Sequence, residues 1–153
     1  MKRLVPFVLL PLFLSALHGS AFAHCEIPCG IYGDEARFSA IAENLKTIEK
    51  SMNQINLLSA EAGKNANQLV RWVNNKETHA DQIREIVAQY FLAQRIKAPA
   101  NDDPAAGKTY SRKLALLHQM IVSAMKCKQT ADPAHVKKSR ELLEAFQALY
   151  NRQ

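Results

Sequence analysis

A chain of 153 residues, 48% hydrophobic but only 7% aromatic, holds about one domain's worth of core-forming material, and its abundant Ala and Leu suit helices. Twenty Lys and Arg against 14 Asp and Glu give a formal charge of +6; an excess this mild and dispersed steers small anions but, without clustered basic and aromatic residues, excludes a nucleic-acid reader. Three cysteines, an odd number, exclude a complete disulfide framework.

The first residues read as a leader. Lys2 and Arg3 form a basic start, Leu4 to Leu17 is an apolar run broken by Pro6 and Pro11, and Ala21-Phe22-Ala23 is an A-x-A cleavage site. That is the pattern of a secretory signal peptide over residues 1–23, cut before His24 by signal peptidase. The apolar run is shorter than the roughly 20 residues of a membrane-spanning helix, and no later segment comes closer. The expectation is an exported protein, periplasmic or secreted, not embedded in a membrane once mature. A lipoprotein signal is excluded because the bulky His24 stands before Cys25. Loss of Lys2 and Arg3 lowers the positive excess of the mature chain by two.

Residues 24–34, His-Cys-Glu-Ile-Pro-Cys-Gly-Ile-Tyr-Gly-Asp, crowd a His, two Cys, a Pro, two Gly and a Tyr into the new amino terminus. Folding alone gives no reason for that composition.

From Asp34 the texture becomes helical, and residues 35–153 are expected to form the body. Asp34 is suited to cap a helix, Glu35 to lie near its positive end, and Phe38, Ile41, Leu45, Ile48, Met52 and Ile55 recur every three or four positions as one stripe. Gly63 is expected to close this helix near Ala60 as a left-handed terminator. A second helix is expected from about Asn67 to Ile96, with Leu69, Trp72, Val73, Ala80, Ile83, Val87, Tyr90 and Phe91 on a broad apolar side that Lys76 and His79 interrupt. That breadth leaves open a subunit contact as well as a core. Residues 98–107, rich in Pro, Gly, Asp and Asn, read as the longest loop. A third helix, about Tyr110 to Lys128, carries Leu114, Leu117, Ile121, Ala124 and Met125. Asp132-Pro133 reads as a cap followed by proline at the first helical position, opening a fourth helix with Val136, Leu143, Phe146 and Tyr150 on one side. Four amphipathic helices with short to medium connections predict an all-α fold, an antiparallel up-down four-helix bundle with an irregular hook before it.

A chain that begins His-Cys offers a metal an unusual donor set. The terminal amine and the Cys25 amide nitrogen close one five-membered chelate ring, and that amide with the Cys25 thiolate closes another. Cys29, brought back by Glu26-Ile27-Pro28, can complete the plane, and the His24 imidazole can reach an axial place. Planar nitrogen and sulfur donors point away from tetrahedral zinc and towards Ni(II) or Cu(II). Copper(II) beside two thiolates tends to be reduced while oxidising sulfur, so nickel suits the set better. By itself the C-x3-C spacing serves a Cys25–Cys29 disulfide or unengaged thiols as readily as a metal; the His at the new terminus moves the balance to metal. Tyr32 can be a core aromatic or a hydroxyl that orders a small anion or water near the metal.

The nine residues His24 to Tyr32 resemble the amino-terminal hook of nickel-containing superoxide dismutases, H-C-x-x-P-C-G-x-Y. The resemblance implies that His24 binds nickel through its amine and imidazole, Cys25 through its amide nitrogen and thiolate, and Cys29 through its thiolate, with Tyr32 over the open face of the metal. It implies one nickel ion per subunit of a homohexamer of four-helix subunits. It also implies a Ni(II)/Ni(III) cycle that converts superoxide to dioxygen and hydrogen peroxide. Two features depart from the pattern: Glu26 stands where Asp is usual, and a secretory leader replaces a short propeptide. Two other functions compete, an exported nickel or copper binding or delivery protein without catalysis, and a helical interaction protein closed by a Cys25–Cys29 disulfide.

Elsewhere, His79, His118 and His135 lack a second ligand at helical spacing and read as surface or core histidines. Cys127 reads as a small core residue, and Lys76, Glu77 and Asp81 as ordinary helix-surface pairs.

Overall fold

The computed structural model describes residues 28–100 and 103–152. Its elements are α1 (Asp34–Leu58), a 3-10 turn (Ser59–Glu61), α2 (Ala62–Glu85) continued by a π-helical segment (Ile86–Arg95), α3 (Pro104–Gln129) and α4 (Ala134–Tyr150). Each helix packs on the next and α4 returns to pack on α1, the ring of neighbours that defines a four-helix bundle. No strand occurs among the described residues.

The expected stripes of α1 and α4 form the core. Phe38, Ile41, Leu45, Ile48 and Met52 are buried on α1, and Val136, Leu143, Phe146 and Tyr150 on α4. The aromatic part of this core gathers around the start of α1: Phe38 lies 4.9 Å from Phe91 and 5.7 Å from Tyr150, ring centre to ring centre, and Phe91 lies 5.1 Å from both Tyr90 and Phe146. Each such ring contributes roughly 2–3 kcal/mol by burial, and tilted and edge-on contacts fix their mutual angles. The residues before α1 therefore leave the bundle from its most firmly packed end.

Several expectations are corrected. Gly63 does not terminate α1: it lies inside α2, and Gly30 is the one described residue with positive φ, at 83°. The chain turns instead through Glu61, at φ −128° and ψ 56°. A side chain takes one of the last carbonyls of α1: Asn65 Nδ2 donates to Leu58 O at 3.2 Å, while Ser59 Oγ adds a second bond, at 2.6 Å, to the Ile55 O that the Ser59 N–H already reaches. α2 accordingly starts earlier than Asn67.

The expected loop is shorter than residues 98–107, because Asp103 caps α3 by accepting from Ala105 N at 2.9 Å while Pro104 takes the first helical position. Asp132 also accepts from Ala134 N at 2.9 Å, but α4 opens at Ala134 with Pro133 as its N-cap and no side-chain cap, so the expected cap and first helical position lie one residue too early. The buried face of α3 is rotated from the expected stripe. Leu116, Leu117, Met120, Ala124 and Cys127 are buried, whereas Met125 is 41% exposed. Finally, Lys76 is not on the surface: it is 3% exposed, and its Nζ donates to the carbonyls of Cys127, at 2.7 Å, and Lys128.

Candidate metal centre

Pro28, Cys29 and Gly30 form a bend just ahead of α1. Gly30 adopts the left-handed region there, which side-chain-bearing residues rarely do, so the turn that carries Cys29 depends on a residue without Cβ. Cys29 is a free, exposed thiol. Tyr32 is 40% exposed and half-fixed: its ring meets Tyr90 edge-on at 6.0 Å, and the Arg95 guanidinium lies 4.3 Å from its centre. The cation on the phenol ring fixes the ring's orientation; its charge is taken up by Asp34.

Asp34 anchors that end. Its carboxylate accepts four hydrogen bonds: from Tyr90 OH at 2.5 Å and Arg95 Nε at 2.9 Å on Oδ1, and from Arg95 Nη2 at 2.7 Å and Tyr150 OH at 2.8 Å on Oδ2. Thus the first residue of α1 is tied to the π segment and to the last residue of α4. The bidentate Arg95 contact holds the Asp34 carboxyl down at about 2, with the two tyrosine donors helping against partial burial. Burial first, then donation to Asp34, raises the Tyr90 phenol and pushes that of Tyr150 up to about 12. Asp34 had been expected to cap α1. In fact the N-cap is Gly33 and no side chain caps this end.

The π segment explains how Tyr90 and Arg95 reach one carboxylate. At 3.6 residues per turn, positions five apart diverge by roughly 140°. With the i to i+5 bonding of a π-helix, as in Ile96 N to Phe91 O at 2.9 Å, the turn widens and such positions fall back on one side. Nothing in a helical-periodicity reading signals this, and the clamp was missed for that reason.

Beside the bend, a cleft of about 460 Å³ opens between Pro28, Arg37, Glu43, His79, Glu85 and Tyr90. His79 Nδ1 is 2.6 Å from Asn44 Oδ1, a pairing with an amide, as expected of a histidine that is not a ligand. Cys127 is fully buried, again as expected, and burial raises its thiol. Among the described residues no three His, Cys, Asp or Glu side chains come together to hold a metal. The described body therefore presents one thiol, Cys29, positioned to join donors from elsewhere. His24 and Cys25, expected to supply them, lie outside the described residues, as do the leader and its cleavage point. A thiolate beside nitrogen donors fits nickel better than it fits the oxygen-preferring metals.

Fold and turn together define a class: a small all-helical bundle carrying a thiol-bearing turn at the head of its first helix. Residues 19–153 match the family model of nickel-containing superoxide dismutase, a span that takes in the hook and the whole bundle, and the chain belongs to that family. It is an oxidoreductase, a nickel-dependent superoxide dismutase. No curated protein matches the chain, and no solved structure does.

Proposed function

We propose that nickel is held, one ion per subunit, by His24, Cys25 and Cys29, with Tyr32 as the residue that meets superoxide. Bound nickel supplies a one-electron couple between its +2 and +3 states. The chain supplies the rest. The Gly30 turn presents the Cys29 thiol, and Tyr90 and Arg95 hold the Tyr32 ring so that its hydroxyl can order a small anion. The observation that carries the reading is this placement of Cys29 and Tyr32 on one short turn tied to the bundle through Asp34.

In this reading the cut between Ala23 and His24 is part of the chemistry, because it creates an amine donor that no side chain provides. The leader then places the enzyme in the periplasm or outside the cell, with signal peptidase as the maturing enzyme. Assembly as a homohexamer follows the family, and the half-exposed Leu69, Trp72 and Val73 with exposed Val70 on α2 offer an apolar contact for it.

The test is to purify the exported protein, determine its first residue, and measure nickel content together with superoxide removal. The expected result is a chain beginning at His24, about one nickel per chain, as the proposed donor set requires, and activity. One alanine placed before His24 is expected to abolish activity while leaving the helical circular dichroism unchanged. Undiminished activity in that variant would contradict the amine ligand. A quantitative Cys25–Cys29 disulfide without metal would contradict the whole site.

A further inference from the structure

A second hollow, of about 720 Å³, lies where the end of the π segment, the first turns of α3 and the end of α4 meet. Four cations line it, Arg95, Lys97, Lys113 and Arg152, and its lining includes no Asp or Glu among the described residues. Arg95 is balanced by Asp34; the other three are in no ion pair among the described residues. Lys113 is the unusual member. It is 8% exposed, and the recorded neighbour of its ammonium is the face of the Tyr150 ring, 5.6 Å away, with no described carbonyl or carboxylate accepting from it.

Lys76 shows how this fold otherwise treats a buried ammonium: at 3% exposure it donates to two backbone carbonyls. Burying a charge without such acceptors is costly. Lys113 opens on a cavity in their place, with the hydroxyls of Thr109 and Tyr110 in the same wall. No buried side-chain nitrogen among the described residues is left without a partner, so the Lys113 ammonium is open to the cavity, where an anion would accept from it.

We infer that this hollow binds a phosphate-class oxyanion, free or carried on a larger molecule, with Lys113 at its floor and Lys97 and Arg152 at its rim. Its volume, about 720 Å³, exceeds what a diatomic anion needs, and the three cations without an ion pair among the described residues match a dianion better than a monoanion. The site uses none of the residues proposed to hold nickel.

The test is calorimetric titration of the nickel-loaded protein with inorganic phosphate and, separately, with glycerol phosphate, at fixed ionic strength. Saturable binding at one ion per chain is expected, weakened about tenfold in Lys113→Met, which keeps the packing of the stem and removes one charge-assisted hydrogen bond. Tighter glycerol phosphate than inorganic phosphate identifies a carried phosphate, and the reverse a free one. No saturable binding of either probe, or equal affinity in folded Lys113→Met, overturns the site. If Lys113→Met does not fold, the exposed pair Lys97→Ala and Arg152→Ala decides: binding weakened several-fold supports the site and unchanged binding overturns it.

Discussion

Asp34 shows how much one residue can carry at the mouth of the hook. Its four accepted hydrogen bonds join three elements, and its side chain is 25% exposed, so water screens the ion pair only in part. Its carboxyl lies at about 2 folded against 3.8 ordinarily; the depressed folded value means that the unfolded chain binds the proton more readily. The stability it contributes is therefore complete above pH 3.8 and is lost as pH falls from there through about 2, an effect of about 2 kcal/mol. Urea denaturation followed across that acid range should show the loss in the parent chain. Asp34→Asn should be destabilised by about 2 kcal/mol at neutral pH and lack that segment of the acid dependence; an unchanged acid profile would mean that Asp34 is not the group responsible. The sequence disclosed Asp34 as a helix-start residue and Tyr90 and Tyr150 as core, each half of the truth. Their meeting was illegible because it joins positions 56 and 116 apart, and Arg95 carried no local mark at all.

At the level of elements, legibility followed how local the deciding interactions are. The α4 stripe, and the α1 stripe from Phe38 to Met52, depend on spacing within a few turns and were read correctly, whereas Ile55 is only partly buried and α4 opens one residue after the expected Pro133. The end of α1 was misread because the chain turns through Glu61 and Asn65 takes the Leu58 carbonyl, with no glycine at the turn. The face of α3 was misread because Leu114 and Met125 are as apolar as the residues that pack, and periodicity cannot choose between adjacent stripes; Ile121 packs at the core's edge. Lys76 was misread because its acceptors lie on another helix. The last carbonyls of a helix lack partners within it, and Lys76 on α2 reaches those of Cys127 and Lys128 on α3, cross-linking the two helices where α3 ends. Lys76→Met keeps the stem and loses the donor, so it should cost about 1–3 kcal/mol. Amide exchange should quicken in the last turn of α3 and not in α1. Uniform acceleration through the bundle would show instead that Lys76 acts on the global fold.

The whole molecule divides its labour along its length. The aromatic end, from Phe38 to Tyr150, clamps the first residue of α1, while the first half of α2 contributes no buried residue before Lys76. Leu69, Trp72 and Val73 there are partly buried and Val70 is 59% exposed, an apolar edge suited to a contact with another subunit. The proposed hexamer gives that surface a partner. Burying a valine contributes about 1.5–3 kcal/mol, and a lysine in its place brings a charge that the contact cannot solvate. Val70→Lys should therefore weaken assembly more than tenfold. Sedimentation velocity should show smaller species at concentrations where the parent chain is hexameric, with the helical circular dichroism unchanged because Val70 touches no core of its own subunit. A parent chain that sediments as a monomer would remove the hexamer, and an equally stable hexamer from Val70→Lys would move the contact away from this half of α2.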